Sequence, residues 1–369
     1  MKNKITDIIL TVVLAVFVLA FSVCCIIRTP DEYSDSERRV LASFPEITWE
    51  SILSADFMSD FEDYTLDQFP LRDTFRSIKA LSEKYIFAKI DNNDIYSADG
   101  HLSKLEYPLN TPMLDHAAER FQFIYDKYLS GTESKVYFSI VPDKNYFLAE
   151  TTGYLALDYN ELVSYMKDKT SYMTYIDIFP LLSLEDYYTS DTHWRQECIT
   201  DVAEHIGNAM GADVKADYTV NTLDNDFYGV YYGQAALPFP ADTIKYLTNE
   251  VTDSCIVTSY DTGKPVKKAV YDMEEAYGKD PYEMFMSGSD ALIVAENPLA
   301  ETDRELVLFR DSFSGALSPL LLEGYRKITL IDIRYIHPSM LGSFVNFENC
   351  DVLFIYSTML LNNSLALKK

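Results

Sequence analysis

Residues 306–315 read LVLFRDSFSG, four apolar residues followed by a polar turn. The apolar half is typical of a strand buried on both faces, and Gly315 then opens a helical stretch towards Leu322. A serine at a sharp strand-to-helix turn exposes its hydroxyl, and the free N–H groups of the helix can receive an oxyanion. Ser312 is therefore a candidate nucleophile, and the alternative is a serine that only caps a helix.

Apolar runs of the same kind recur along the chain. They lie at Val136–Val141, Tyr175–Phe179, Ala291–Ala295, Ile328–Ile333 and Val352–Tyr356. Strands that are buried on both faces belong to parallel sheets covered by helices. Helix-like segments fall between some of them, at about 161–168, 195–210 and 316–323. We therefore predict a three-layered α/β domain with a mainly parallel sheet over residues 111–369.

Two parts of the chain do not show this alternation of apolar strand-like runs and helical segments. Residues 212–285 alternate Tyr, Thr, Gly and Asp, which predicts an antiparallel insertion or lid within the α/β domain. Residues 31–110 form a juxtamembrane region with helical spacing from about Phe57 to Phe87. Pro70 interrupts that spacing, so we expect two short helices there.

A second segment that could carry chemistry is Asp191-Thr192-His193-Trp194. It precedes the helical pattern of 195–210, which places the histidine in a turn at the mouth of the sheet, where sites collect in α/β domains. A carboxylate two residues from a histidine can hold the ring in one tautomer and stabilise the imidazolium. The alternative is a structural histidine that caps the helix, with Trp194 in the core.

The balance of charge excludes one class of partner. The chain has 31 Lys and Arg against 57 Asp and Glu, a formal net charge of −26. A nucleic-acid binder needs a basic surface that displaces condensed counterions, and no such surface is visible. Aromatic residues make up 14% of the chain, and the run FYGVYYG at 227–233 suits either sugar stacking or a hairpin core.

The five cysteines form neither a disulfide framework nor a metal-binding pattern. Cys24 and Cys25 lie in an apolar segment near the amino terminus, whereas Cys198, Cys255 and Cys350 are scattered singly. The sequence has no Cys-x-x-Cys and no ligand-like histidine spacing. We therefore predict no metal site and no cofactor, with at most one disulfide.

The apolar segment Ile8–Ile27 reads IILTVVLAVFVLAFSVCCII. At 1.5 Å per residue it is about 30 Å long, enough to cross a bilayer. Lys2 and Lys4 precede it and acidic residues follow at 31–37, so we expect the amino terminus in the cytoplasm and the body outside. Residues 1–30 thus form a stub and a transmembrane anchor. The alternative is a cleaved signal peptide, whose shorter apolar stretch and small-x-small site we do not find.

The Asp-Thr-His-Trp segment, paired with the later Asp311-Ser312-Phe313-Ser314, resembles the SGNH-like acyltransferases of the alginate O-acetylation type. From about residue 36 to 365 the chain resembles the DHHW family of membrane-anchored bacterial proteins. Other matching segments are ERRVLASFP at 37–45, DQFPLR at 67–72, VPDK at 141–144 and VLFIYS at 352–357. The resemblance implies an SGNH-hydrolase-like fold for the α/β domain.

By this resemblance Ser312 is the nucleophile, His193 the general base and Asp191 its orienting acid. The Gly-x-Asn-Asp block, whose asparagine helps to bind the oxyanion, has no clear counterpart. Backbone N–H groups at Ser312 and Phe313, assisted by Arg310, would have to replace it. Candidate residues for substrate contact are Arg310, Phe313, Trp194 and Lys144.

The function implied is a single-pass, extracytoplasmic serine O-acetyltransferase or esterase of the bacterial cell membrane, acting on a cell-envelope polysaccharide. A multi-span membrane acyltransferase would supply acetyl groups across the bilayer. The alternative is a catalytically degenerate protein that binds glycan or scaffolds an envelope assembly. A phosphate- or metal-dependent hydrolase is disfavoured by the lack of clustered ligands.

Overall fold

The computed structural model describes residues 2–261 and 263–368, which fall into two units. The first unit contains the residues up to Asn93 together with Tyr232–Pro238. The second unit contains Asp94–Tyr231 and the residues from Phe239 onward.

The first unit is mainly helical. Its helices and short strands are α1 (Lys2–Ile27), β1 (Tyr33–Ser34), β2 (Arg39–Val40), α2 (Trp49–Leu53), α3 (Asp56–Asp67), α4 (Arg72–Tyr85) and β3 (Asp91–Asn92). Within α1 the segment Lys4–Cys25 has a mean hydropathy of 3.0 and none of it is buried. This helix is long and apolar enough to cross a bilayer, which is consistent with a single-pass anchor. Pro70 separates α3 from α4, as expected.

The second unit alternates strands and helices. Its first half contains β4 (Ile95–Ala98), β5 (His101–Lys104), α5 (Thr111–Ile124), β6 (Lys135–Val141), α6 (Lys144–Thr152), α7 (Tyr159–Lys169), β7 (Thr174–Tyr175), α8 (Thr200–Met210) and β8 (Thr219–Thr222). After α9 (Val230–Ala235), which runs across the boundary between the units, come β9 (Lys245–Thr248), α10 (Glu250–Ser254), β10 (Ile256–Ser259), β11 (Val266–Lys268), α11 (Met273–Ala276), β12 (Leu292–Glu296), β13 (Glu305–Arg310), α12 (Ser314–Leu321), β14 (Lys327–Ile331), β15 (Asp351–Ser357) and α13 (Thr358–Asn362).

An eight-stranded sheet organises the second unit, in the order β11-β10-β12-β14-β13-β15-β6-β7. The five strands from β14 to β7 are parallel, and β12, β10 and β11 continue the sheet in antiparallel pairing. β13 lies in the middle of the sheet, flanked by parallel neighbours, so its carboxyl end opens at the edge where α/β proteins place their sites. The predicted α/β class with a mainly parallel sheet is confirmed.

Both faces of the sheet are covered by apolar packing. On β13, Leu306 and Leu308 pack into one core with residues of α8 and α12, whereas Val307 and Phe309 pack into a second core with residues of α5 and α7. This two-sided burial explains the uninterrupted apolar run in the sequence. The result is the predicted three-layered arrangement.

Two segments differ from the sequence-based expectation. The predicted strand Tyr175–Phe179 is only β7, because the Asp177 carboxylate accepts a hydrogen bond from the Phe179 N–H and a 3-10 turn begins there. The antiparallel pairing expected in 212–285 is present: β8 and β9 form a separate antiparallel pair, and β10 and β11 extend the main sheet. The helix expected over 195–210 is a 3-10 turn, Gln196–Cys198, followed by α8.

Candidate active site

Ser312 lies in the tight turn between β13 and α12. The turn is closed by hydrogen bonds from Ser314 N–H to the Asp311 carbonyl and from Gly315 N–H to the Ser312 carbonyl, at 3.3 and 3.1 Å. The buried Asp311 carboxylate accepts hydrogen bonds from the N–H groups of Phe313 (3.1 Å) and Ser357 (2.8 Å). Since Ser357 ends the neighbouring strand β15, Asp311 ties the serine turn to the rigid sheet.

Asp191 and His193 lie in a hairpin-like turn that precedes α8. A bridge between Tyr187 and Trp194 closes this turn, and Tyr188 N–H donates to the His193 carbonyl at 3.0 Å. His193 is therefore separated from α8 by the 3-10 turn, so the helix dipole acts on the ring less than the sequence suggested.

The turns that carry these residues meet at the carboxyl edge of the sheet. His193 Nε2 lies 2.8 Å from Ser312 Oγ, and His193 Nδ1 lies 2.6 Å from Asp191 Oδ1. Asp191 is fully buried, and its Oδ1 also accepts a hydrogen bond from the His193 N–H at 3.0 Å. The three side chains form one continuous chain of hydrogen bonds.

When the His193 ring is neutral, its two hydrogen bonds determine which ring nitrogen carries the proton. An ionised carboxylate can only accept, so Nδ1 carries the proton that is shared with Asp191. Nε2 is then unprotonated and accepts the hydrogen bond of the Ser312 hydroxyl. This is the arrangement in which imidazole can remove a proton from an alcohol.

Trp194 and Phe313 hold the two motifs together. The Trp194 indole donates from Nε1 to the Phe313 carbonyl at 2.9 Å, and the two rings pack edge to face with centroids 5.5 Å apart. The Phe313 ring also lies 4.9 Å from the His193 ring. The tryptophan after the histidine and the phenylalanine after the serine thus form the joint between the two turns.

Two further elements hold Asp191 in place. Val230 N–H donates to Asp191 Oδ2 at 2.8 Å, and Gly229 packs so closely on Asp191 that a Cβ atom would overlap with it. The Asp242 carboxylate accepts hydrogen bonds from the N–H and O–H groups of Thr189 and Ser190, at 2.5–2.9 Å. The backbone immediately before Asp191 is therefore clamped.

Tyr282 covers one face of the His193 ring. Its ring stacks on the His193 ring with centroids 3.9 Å apart and planes within 8°. Tyr282 is buried, and it comes from the segment that the sequence predicted as an insertion or lid. A flat aromatic ring at this distance limits rotation of the imidazole.

The backbone donors expected for an oxyanion are only partly available. Phe313 N–H is engaged by the Asp311 carboxylate, which the sequence did not anticipate. For Ser312 N–H, no hydrogen-bond acceptor is found among residues 2–261 and 263–368. The hydrogen bonds of Arg310 do not involve the serine. Its Nη2 donates to the carbonyls of Gly288 (2.7 Å) and Asp290 (3.4 Å). Ser312 N–H is therefore the better candidate donor.

The four residues predicted to contact substrate are all buried. Arg310, Phe313, Trp194 and Lys144 are each at most 3% exposed. Lys144 Nζ donates to the carbonyls of Tyr188 (2.9 Å) and Thr189 (3.2 Å), directly behind the Asp191 turn. Direct contact with a polymer would require these side chains to leave the core, so we propose that they position the site and do not bind the substrate.

The pH dependence of folding stability tests whether Lys144 is a buried structural residue. Burial lowers the pKa of Lys144 to about 7 from the usual 10.5, although the carboxylates of Asp191, Asp242 and Asp143 oppose the shift. Between these two values the unfolded chain binds more protons than the folded chain, so stability rises with pH.

The free energy of unfolding of the wild type should therefore increase by about 2 kcal/mol between pH 7 and pH 9, relative to Lys144→Met. Urea denaturation at both pH values measures this difference. Lys135→Met, at an exposed position in β6, is the matched control and should behave as the wild type. Parallel pH dependence of wild type and Lys144→Met would contradict the assignment.

Sequence reasoning missed three groups that support the Asp191–His193 turn. Tyr282 stacks on the His193 ring, Val230 N–H donates to Asp191, and Asp242 binds the two residues before Asp191. These groups come from distant parts of the chain and leave no local pattern. The aromatic run at 227–233 drew attention to one of these segments, but as a sugar-stacking surface or a hairpin core. In the part of the chain that the structure describes, no group of three or more His, Cys, Asp or Glu side chains could hold a metal ion.

No family model and no curated protein matches the chain. Its fold is similar to that of a DHHW family protein from Eubacterium siraeum, with a TM-score of 0.61 and 20% identity over 75% of this chain and 96% of the other. Bacillus cereus PatB1, solved with a sulfonyl adduct, gives a TM-score of 0.58 and 21% identity over 74% and 98%.

The fold of this chain is more weakly similar to that of the O-acetyltransferase domain of Pseudomonas putida AlgJ. The TM-score is 0.42, with 12% identity over 72% of this chain and 90% of the other. At these identities the similarity concerns the fold. Over about three quarters of its length, the chain has the α/β fold of a DHHW family protein and of PatB1, as the sequence resemblance implied.

Proposed function

We propose that this protein is a membrane-anchored serine O-acetyltransferase or esterase that acts on a cell-envelope polysaccharide through an acyl-serine intermediate. The observation that carries the proposal is the hydrogen-bonded chain Asp191–His193–Ser312. It combines an alcohol nucleophile, a neutral imidazole base and a buried orienting carboxylate, which are the groups that acyl transfer needs. The sequence resemblance and the shared fold support the same chemistry.

In the proposed reaction, His193 Nε2 takes the proton of the Ser312 hydroxyl as Oγ attacks the carbonyl carbon of an acetyl ester. The tetrahedral intermediate collapses, the ester C–O bond breaks, and the leaving alcohol takes the proton from His193. A sugar hydroxyl, or water in an esterase, then gives its proton to His193 and attacks the acyl-serine, and Ser312 leaves with that proton. Asp191 keeps Nδ1 protonated and stabilises the imidazolium.

The oxyanion would be bound by the Ser312 N–H, which has no other acceptor among the described residues. The Phe313 N–H could contribute only after releasing the Asp311 carboxylate. Removal of one oxyanion donor costs about 10²–10³ in rate in a serine hydrolase. We therefore expect a slower enzyme than one with a complete oxyanion hole, unless the substrate brings its own donor.

The proposed location is the outer face of the bacterial cell membrane, with α1 as the anchor. Lys2 and Lys4 at the amino end of α1 favour a cytoplasmic amino terminus. Thioester acetyl donors are cytoplasmic, so a transferase on the outer face would need a multi-span membrane partner that delivers acetyl groups.

A scaffold or glycan-binding role is the second candidate, and the engaged Phe313 N–H favours it. The test uses the full chain in detergent with a chromogenic acetyl ester, with and without envelope polysaccharide fragments. The proposal expects a burst of released alcohol and a mass increase of one acetyl group on the peptide containing Ser312. Acetyl groups on the fragments would indicate a transferase, and free acetate alone an esterase.

A folded protein that releases no alcohol and reacts with neither a fluorophosphonate nor a sulfonyl fluoride would refute the enzyme. Both reagents modify activated serine hydroxyls, so they report the nucleophile independently of the natural substrate. In that outcome the scaffold role becomes the better account.

Asp242→Asn is expected to slow acylation without changing the affinity for the donor ester. An asparagine amide can no longer accept from both backbone N–H groups, so the turn before Asp191 loosens. We expect the acylation rate to fall by about 10–100-fold, as small misplacements of a catalytic group do, and stability to fall by about 1–3 kcal/mol. Burst kinetics over a range of ester concentrations separate rate from affinity.

Asp224→Asn is the matched control for Asp242→Asn. It lies in the same part of the chain, and its carboxylate accepts a hydrogen bond from the exposed Tyr277 hydroxyl at 2.8 Å. This variant should acylate at the wild-type rate. A wild-type rate for Asp242→Asn as well would show that the clamp does not position Asp191.

A further inference from the structure

The turn between α3 and α4 packs against the membrane-type helix α1. Its apolar tip is Phe69-Pro70-Leu71, and the Phe69 ring stacks on the Phe21 ring of α1 with centroids 5.2 Å apart and planes within 4°. Phe75, in the first turn of α4, packs edge to face on the same Phe21 ring at 5.7 Å. All of these residues belong to the first unit.

The contact lies within the apolar part of α1. Phe21 precedes the end of the segment Lys4–Cys25 by four residues, which corresponds to about 6 Å along the helix axis. A turn that stacks on Phe21 therefore lies at the depth of the outermost acyl carbons and headgroups when α1 crosses a bilayer. A groove of about 930 Å³ runs between α1 and this turn. Its lining combines apolar residues such as Phe21 and Leu71 with charged residues such as Asp31 and Asp73.

Leu71 at the tip is unusual in two respects. Its backbone is left-handed, with φ 58° and ψ 31°, and its side chain is 64% exposed to solvent. A bulky aliphatic residue disfavours the left-handed region, and an exposed leucine gains nothing from burial in the protein. Lipid beside α1 would cover this exposed side chain and remove its apolar surface from water.

The residues that flank the tip are polar and fixed by ion pairs. Asp67 pairs with Arg39 at 2.5 Å, and Arg72 pairs with Glu37 at 2.5 Å. Gln68 exchanges two hydrogen bonds with the backbone of Asp31, at 2.8 and 2.9 Å. An apolar tip flanked by charged residues that are held in ion pairs is typical of a segment that inserts into the membrane interface.

We propose that Phe69-Pro70-Leu71 inserts into the lipid bilayer beside α1, in the leaflet at the carboxyl end of that helix. The occupant of the groove is then phospholipid acyl chain. The turn forms a second membrane contact, which fixes the first unit at the bilayer surface and limits its rotation about α1.

The experiment reconstitutes the full chain into phosphatidylcholine–phosphatidylglycerol vesicles that contain a phosphatidylcholine with a diazirine near the glycerol end of one acyl chain. After illumination, lipid adducts are located by proteolysis and fragmentation mass spectrometry. The proposal expects adducts on Phe69–Leu71 as well as on α1. Adducts on α1 alone would overturn it.

Leu71→Asn tests the tip residue. Asparagine accepts the left-handed backbone better than leucine, so the variant should be at least as stable in thermal unfolding. Adducts at 69–71 should fall about fivefold, because a polar amide disfavours insertion, while adducts on α1 stay constant as the internal control. Leu71→Met retains an apolar side chain and should keep the wild-type yield; an equal loss in both variants would overturn insertion of the tip.

Discussion

Ser312→Ala is expected to lower the rate of acyl transfer by about 10⁶-fold, the cost of removing the nucleophile from a serine triad. The hydroxyl at this position is the group that His193 Nε2 faces at 2.8 Å. Without it neither an acyl-enzyme nor a covalent probe adduct can form at this site. Release of alcohol from a chromogenic acetyl ester and labelling by a fluorophosphonate measure the loss.

Ser314→Ala is the matched control for this variant. Ser314 is two residues away and fully buried, and its hydroxyl has no hydrogen-bond partner among the described residues. Its removal should leave both labelling and turnover near the wild-type level. If Ser312→Ala retained labelling, or if Ser314→Ala lost as much, the nucleophile would have been wrongly assigned.

Asp191→Asn is expected to lower turnover by about 10⁴-fold with little change in folding, as loss of the orienting carboxylate does in serine triads. Asp191 Oδ1 accepts from the His193 ring, and Oδ2 accepts from Val230 N–H. An amide has only one oxygen. It must either place its NH₂ group against Val230 N–H or present it to Nδ1, which then selects the wrong tautomer.

Burst kinetics and circular dichroism of the same sample distinguish this loss of chemistry from loss of structure. Asp186→Asn is a suitable control, because Asp186 lies in the segment that leads into the same hairpin-like turn. Its half-buried carboxylate accepts hydrogen bonds from the N–H and O–H groups of Ser183, within the local turn. It should acylate as the wild type does. Near-wild-type turnover of Asp191→Asn would mean that the carboxylate does not orient the ring.

The central strands could be predicted because the sheet is buried on both faces. β13 and β15 read as uninterrupted apolar runs, and the structure places them side by side in parallel. The edge of the sheet was harder to predict. At β7 a single side chain, Asp177, captures a backbone N–H and ends the strand after two residues, although the apolar pattern continues to Phe179.

The contacts within each motif could also be anticipated. Asp191 and His193 are two residues apart, so one local turn is enough to bring carboxylate and ring together. The pairing with Ser312 was different, because the two segments lie 119 residues apart. They were connected by the acyl-transfer chemistry that a base and a serine can share, and by the resemblance to a family. Trp194 and Phe313 form the joint between them, and their separate positions in the sequence do not show it.

Local composition alone determined the apolar anchor, the acidic charge, the alternation of strands and helices, and the two short segments that carry reactive side chains. These properties depend on neighbouring residues and on the periodicity of burial. Only the tertiary structure decided that Tyr282 covers the imidazole, that Asp242 clamps the turn before Asp191, and that Asp311 occupies a backbone donor expected for the oxyanion. Such contacts join residues far apart in the chain, and each depends on a packing geometry that no sequence window contains.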